Sequence, residues 1–172
     1  MMKKIGHPKG LDSEQIHSSE VFDGRIRDLL IKEDLSYSEL KIKLNTNSRI
    51  LSKHLNAMKK DKEVIQLYND SKHRVVYTMT NQSIIEHFIL PEALGLCGVN
   101  IFVKILKAKE KDEQYYPSTN EPILQYDVNR CIQHLIYEKY PHRVIFEKEI
   151  LDVIYANPEL KHYINENNVT EW

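Results

Sequence analysis

The sequence predicts a mainly α-helical fold with one small β-hairpin, in which three helices and the hairpin precede an all-α C-terminal region. Three observations predict this fold class: apolar residues recur at helical spacing along most of the chain, the pattern alternates between residues 64 and 80, and turn-forming residues separate these segments. We therefore divide the chain into a loose arm at residues 1–17, a first domain at residues 18–82 and a helical region at residues 83–172.

The first helix is predicted over residues 19–33. Its apolar residues fall at i, i+4, i+7 and i+8 and form one stripe, Phe22, Ile26, Leu29 and Leu30. The residues before it include Gly6, Pro8 and Gly10 among polar neighbours, which favours irregular structure and defines the arm.

The second helix is predicted to be short. Ser36 and Glu39 have the spacing of a capping box, in which a Ser hydroxyl and a Glu carboxylate satisfy backbone donors at a helix start. Tyr37, Leu40 and Leu44 follow at helical spacing and are expected to be buried. The tripeptide Asn-Thr-Asn at residues 45–47 favours a turn and ends the helix.

A third helix follows this turn almost at once and is amphipathic. Its apolar stripe consists of Leu51, Leu55 and Met58. The polar residues occupy the opposite or flanking faces and are of the types that read nucleic-acid grooves: Ser48, Arg49, Ser52, Lys53, Asn56, Lys59 and Lys60.

The hairpin is predicted from two segments rich in β-branched and aromatic residues, 64–68 and 75–80. The polar loop between them brings Lys72, His73 and Arg74 to the hairpin tip. This tip is therefore cationic.

Positive charge is concentrated in the same part of the chain. The net charge of the protein is −1, yet residues 36–80 contain nine Lys or Arg against four Asp or Glu. A phosphate-facing surface has this distribution, whereas a solvated helix face is the alternative that charge alone leaves open.

The order of these elements resembles the winged helix-turn-helix regulators of the ArsR type over residues 19–80. Ser38-Glu39-Leu40 is similar to the start of the family's second helix, residues 51–55 (Leu-Ser-Lys-His-Leu) to its recognition-helix core, and residues 74–79 (Arg-Val-Val-Tyr-Thr-Met) to its second wing strand. MarR-like and HxlR-like regulators share the arrangement. The chain lacks the Cys-x-Cys and paired Asp/His motifs of the metal-sensing branch, so no metal site is expected.

The resemblance implies a sequence-specific regulator that binds double-stranded DNA as a homodimer. It implies that the third helix enters the major groove with Arg49 on a guanine, and that the hairpin contacts phosphate or the minor groove. His54 lies beside the DNA backbone by resemblance, or packs under the second helix. The full set of expected DNA-binding residues is Ser48, Arg49, Ser52, Lys53, His54, Asn56, Lys72 and Arg74.

The C-terminal region is predicted to be all-α and to provide the dimer contact. Its apolar stripes are Val99, Phe102, Ile105 and Leu106, then Leu124, Val128, Cys131, Ile132 and Leu135, then Phe146, Ile150, Val153 and Ile154. The helix at residues 94–107 contains Gly95 and Gly98, which mark a kink or a close crossing with a symmetry mate. Asn157-Pro158-Glu159 starts a further helix.

Other functions are weighed against this interpretation. No Gly-rich phosphate loop, nucleophile elbow or paired-His motif occurs, so we predict neither an enzyme nor a cofactor. A small-molecule effector site in the C-terminal region stays open, with Tyr115, Tyr116, Tyr126, Tyr137, His134 and His142 as its candidates and the polar loop at residues 107–122 as a cover. The rival from another class is a winged-helix protein–protein adaptor.

The expected location is the cytoplasm. The sequence shows no signal peptide, and the two cysteines, Cys97 and Cys131, lie in unrelated apolar contexts. Charged and polar residues interrupt the apolar run at residues 84–106, so we expect a buried or subunit-contacting helix there and not a membrane span.

Overall fold

The computed structural model of this chain describes residues 13–112, 130, 134–139, 143–162 and 164, with the backbone alone at residues 13–18 and 137. The chain divides into two compact units. The first combines Met1–Lys60 with Gln66–Thr78, and the second combines Asp61–Ile65 with Met79–Trp172. Both are built mainly from helices, and a two-stranded β-hairpin is the only sheet in the described part of the chain.

Helix α1 spans Ser13–Leu30 and begins before the predicted start at residue 19. Residues 13–17, which the sequence placed in the arm, therefore belong to the helix. The last helix-breaking residue before this point is Gly10, so nothing in residues 13–17 interrupts helical geometry. Residues 1–12 of the predicted arm lie outside the described residues.

Helix α2 spans Tyr37–Lys43 and starts with the predicted capping box. The Ser36 amide donates to a Glu39 carboxylate oxygen at 2.8 Å, and the Glu39 amide donates to Ser36 Oγ at 3.3 Å. Both orphan donors of the helix start are thereby satisfied. The structure confirms this part of the sequence analysis.

Helix α3 spans Ser48–Lys60 and follows α2 after the predicted turn. Asn45 has a positive φ of 49°, a conformation that asparagine tolerates better than most residues. Asn47 Oδ1 then accepts a hydrogen bond from the Ile50 amide at 2.9 Å and caps α3. The predicted apolar stripe of Leu51, Leu55 and Met58 is buried, as expected.

The hairpin consists of β1 at Val64–Asn69 and β2 at Arg74–Met79. Within the first unit, Leu35 pairs with Tyr77 of β2 through two backbone hydrogen bonds of 3.2 and 2.7 Å. The segment between α1 and α2 is thus joined to β2. Because Leu35 and Tyr77 are both buried, this bridge connects the hairpin to the helical core of the unit.

The second unit starts with a long helical run. Helix α4 spans Asn81–Ile84, a π-helical turn spans Ile85–Ile89, and helix α5 spans Leu90–Glu110. The run is kinked at Gly98, whose φ of 76° and ψ of 170° are non-helical. This is the kink that the two glycines predicted.

Two further helices complete the described part of the second unit, α6 at Glu147–Ala156 and α7 at Pro158–His162. Asn157 Oδ1 accepts from the Glu159 and Leu160 amides at 3.0 and 3.3 Å, which confirms the predicted start of α7. A π-helical turn spans His134–Glu138. The stripe predicted from residue 124 lies outside the described residues except for Leu135, which is buried.

The run Asn81–Glu110 is long and apolar enough to cross a membrane, judged by length and composition alone. Core helices of water-soluble proteins meet the same criterion. Here, side chains on both sides of the Gly98 kink are buried within the second unit, among them Ile85, Ile89, Phe102 and Ile105. Of the most apolar window of this run, 39% is buried inside the protein.

Candidate nucleic-acid interface

The solvent-facing side of α3 carries the strongest concentration of predicted site residues. Arg49, Lys53, Asn56 and Lys60 fall at i, i+4, i+7 and i+11, and all four are exposed. They lie opposite the buried stripe. Helix α3 contains four Lys or Arg and no Asp or Glu, and neither Arg49 nor Lys53 forms an ion pair with any residue in the described ranges. This face, which we call the α3 outer face, therefore presents uncompensated positive charge.

Two of the predicted serines lie at the edge of the α3 outer face. Ser48 is exposed in the first turn, whereas Ser52 is half-buried. The hydroxyl of Ser52 lies 2.8 Å from the hydroxyl of Tyr37. Tyr37 also donates its single hydrogen to the Ser48 carbonyl at 2.9 Å, so Ser52 must be the donor in the pair. Ser52 is then left with acceptor capacity only.

Tyr37 is a positioning residue that the sequence analysis assigned only to the core. Tyr37 is the first residue of α2, and its hydroxyl contacts both Ser48 and Ser52 in the first turns of α3. These two contacts tie the start of α3 to α2. Nothing in the apolar spacing of α2 indicates that the hydroxyl has this partner.

We expect Tyr37→Phe to lower the free energy of unfolding by about 1–2 kcal/mol, because a carbonyl and a hydroxyl lose their partner. Urea unfolding followed by circular dichroism measures this loss. Tyr68→Phe is the matched control, since Tyr68 is 58% exposed and its hydroxyl has no partner among the described residues. Equal stability of the two variants would contradict the assignment.

His54 is the one predicted site residue that turns away from the α3 outer face. Its Nδ1 lies 2.6 Å from a carboxylate oxygen of Asp23, and its ring centroid lies 4.6 Å from that of Phe22. Only 12% of the side chain is exposed. Asp23 and Phe22 both belong to α1, so α1 and not α2 holds this ring.

The two hairpin cations are exposed but engaged with the body of the first unit. Arg74 Nη2 lies 2.5 Å from a carboxylate oxygen of Glu39, and Lys72 Nζ donates to the Asp34 carbonyl at 2.8 Å. Glu39 therefore compensates the charge of Arg74. The pattern of the hairpin loop predicted two cations at the tip but not their partners. Glu39 precedes Arg74 by 35 positions and Asp34 precedes Lys72 by 38 positions, so local spacing does not imply either contact.

The carboxyl of Glu39 is held in its charged form. The Ser36 backbone amide, the Ser36 hydroxyl and the Arg74 guanidinium lower the pKa of Glu39 below its ordinary value of 4.5, against the opposing effect of burial. A carboxyl whose pKa is lowered in the folded state stabilises the fold at pH values above its unfolded-state pKa. This contribution disappears as the pH falls through the folded-state pKa.

We therefore expect Glu39→Gln to reduce the free energy of unfolding at pH 7 and to approach the wild type at a pH below the folded-state pKa of Glu39, where the carboxyl is protonated in both states. Urea unfolding at the two pH values measures the difference. Glu20→Gln, at an exposed position of α1, provides the control for a lost charge. A destabilisation by Glu39→Gln that is the same at both pH values would argue against the ion pair.

Two residues of this surface were not in the expected DNA-binding set. Lys60, which the sequence already placed among the polar residues of the third helix, extends the α3 outer face by one turn. Ile50 lies beside Arg49 and is 43% exposed, although its residue type predicts burial. No sequence pattern distinguishes this isoleucine from the buried leucine that follows it.

The second unit contains a cavity of about 860 Å³ between the helical run at Gln82–Glu86 and helices α6 and α7. Its lining includes the carboxylates of Glu86, Glu149, Asp152 and Glu159. Most of the tyrosines and histidines proposed for an effector lie outside the described residues. His134, which is described, is exposed and pairs with Glu138 at 2.6 Å.

Cys97 has the properties of a packing residue. Burial raises the pKa of its thiol to about 11, so the nucleophilic thiolate is scarce at neutral pH. The described residues contain no cluster of three or more His, Cys, Asp or Glu that is able to hold a metal ion. Cys131 lies outside the described residues.

No protein-family model, curated protein or solved structure matches this chain.

Proposed function

We propose that the chain is a winged helix-turn-helix transcriptional regulator that binds double-stranded DNA. The α3 outer face carries this proposal: it projects Arg49, Lys53, Asn56 and Lys60 into solvent from a helix without acidic residues. A single α-helix fits the major groove, where Arg recognises guanine and Asn recognises adenine, while Lys contacts phosphate.

The surroundings of α3 support the same interpretation. The capped helix α2, the tight turn at Asn45 and the hydroxyl of Tyr37 fix the first turn of α3. Preorganisation of this kind lowers the entropy lost when a helix docks into a groove. In this proposal Lys72 and Arg74 provide a second contact with the DNA backbone. This contact is weaker because the Glu39 carboxylate already compensates the charge of Arg74.

We further propose that the protein acts as a symmetric dimer, because one helix in one groove buries little surface and two half-sites increase affinity and specificity. The proposed location is the cytoplasm. Helix α5 is the proposed dimer contact. Gly95 and Leu96 are both exposed on it, with Leu96 at 43%. A small residue next to an exposed leucine suits a close helix crossing.

Selection of bound fragments from a pool of random duplexes tests this function most directly. The expected result is one enriched sequence with two inverted half-sites, whose binding weakens steeply as salt is added, because phosphate contacts release counterions. Failure to enrich any sequence would reject the proposal. A single half-site would reject the dimer alone.

A protein–protein adaptor is the second candidate, and exposed apolar side chains of the first unit favour it. Ile42 is 77% exposed on α2, and Tyr68 and Val75 are 58% and 50% exposed on the hairpin. Such side chains are common in interface cores. For an adaptor, the mobility shift of a DNA duplex would be the same for the wild type and for the Arg49→Ala, Lys53→Ala variant, and it would not change with salt.

A further inference from the structure

Ile50 occupies an unusual position for a large apolar side chain. It lies in the first turn of α3 next to Arg49 and is 43% exposed, while its neighbour Leu51 is fully buried. The Asn47 cap fixes its backbone through a hydrogen bond of 2.9 Å. Because a β-branched side chain in a helix strongly prefers one χ1 rotamer, the direction of Ile50 is set before any ligand binds.

The residues around Ile50 indicate what kind of ligand covers it. Arg49 precedes it and Lys53 follows it by less than one turn, and both are exposed. Lysine is depleted in the cores of protein–protein interfaces and arginine is not, so Lys53 is the neighbour that distinguishes this site from a protein-binding patch. An apolar group bordered by cations matches a duplex, in which phosphates flank the groove.

Base edges in the major groove offer one apolar group, the C5-methyl of thymine. The polar side chains of the α3 outer face distinguish bases through hydrogen bonds and cannot detect this methyl. Ile50 is the exposed large hydrophobic residue of α3 and lies on the flank opposite Ser52, at about 100° around the helix from Arg49. It therefore extends base recognition to a position beside the one that Arg49 contacts.

We propose that Ile50 is a specificity-determining residue that packs against the methyl group of a thymine adjacent to the base read by Arg49. This inference rests on the proposed function. Since burial of one methyl-sized group is worth about a factor of four in affinity, removal of the thymine methyl should weaken binding about three- to fivefold.

The test uses the duplex enriched by the full-length protein and a set of copies in which each thymine is replaced, one at a time, by deoxyuridine. Deoxyuridine lacks only the methyl group. Fluorescence anisotropy should show the three- to fivefold loss at one thymine per half-site for the wild type. Ile50→Ser should bind both forms equally at that position, whereas Ile50→Val should retain the preference and Ile42→Ala should behave as the wild type.

The outcomes separate the two proposals. If the protein enriches no duplex, both the regulator and the role of Ile50 are rejected. If it enriches a duplex but no deoxyuridine substitution changes the affinity, or if Ile50→Ser retains the preference, only the role of Ile50 is rejected. Thermal unfolding of Ile50→Ser verifies that the variant is folded, and Ile50→Ala, which removes most of the apolar side chain without adding a polar group, should lose the preference and provides the second readout if it is not.

Discussion

Simultaneous replacement of Arg49 and Lys53 by alanine is expected to weaken binding of the enriched duplex about 30- to 700-fold, or about 2–4 kcal/mol. Both side chains project from the α3 outer face without an ion-pair partner in the described ranges, so their full charge is available to DNA. Loss of Arg49 removes a base contact. Loss of Lys53 removes a phosphate contact and lowers the slope of log affinity against log salt by about 1.

The matched control changes the net charge by the same amount elsewhere. Lys111 and Lys148 are exposed residues of the second unit, and their double replacement by alanine should alter affinity less than about threefold. Anisotropy measurements with one labelled duplex compare the three proteins. An equal loss in both double variants would indicate that only net charge matters and would contradict a specific role for α3.

Gly98→Ala is expected to destabilise the protein by about 1–3 kcal/mol. Gly98 has φ 76° and ψ 170°, a region of backbone space that is essentially restricted to glycine. A Cβ atom at this position would meet no heavy atom within 4 Å. The expected cost is therefore one of backbone conformation and not of packing.

Gly24→Ala provides the control with the opposite expected sign. Gly24 lies in helix α1, its φ is not positive, and an added Cβ also meets nothing within 4 Å. Alanine should stabilise this position by about 0.5–1 kcal/mol, because it loses less backbone entropy on folding. Urea and thermal unfolding measure both variants. Stabilisation by Gly98→Ala would show that the kink is absent.

Local signals account for the parts of the fold that were predicted well. The capping box of α2 and the Asn157 cap of α7 each join atoms only a few residues apart, so the residue types and their spacing determine the contact. The buried stripe of α3 follows from helical periodicity alone. The position of the outer face then follows, since it is the side opposite the stripe.

Contacts between distant residues explain what the sequence did not predict. His54 pairs with Asp23, Arg74 with Glu39 and Tyr37 with Ser52, across separations of 31, 35 and 15 residues. None of these partners is implied by local spacing. The same holds for Ile50, whose exposure depends on which side of α3 the rest of the unit covers.

Two-dimensional NMR of the full-length protein titrated with the enriched duplex tests the central claim most directly. We expect the chemical-shift changes to concentrate on the amides of the first turns of α3 and on the side-chain amide of Asn56, with little change in α6. Changes confined to the second unit, or to the apolar hairpin residues Tyr68 and Val75, would contradict the proposal that the α3 outer face binds DNA.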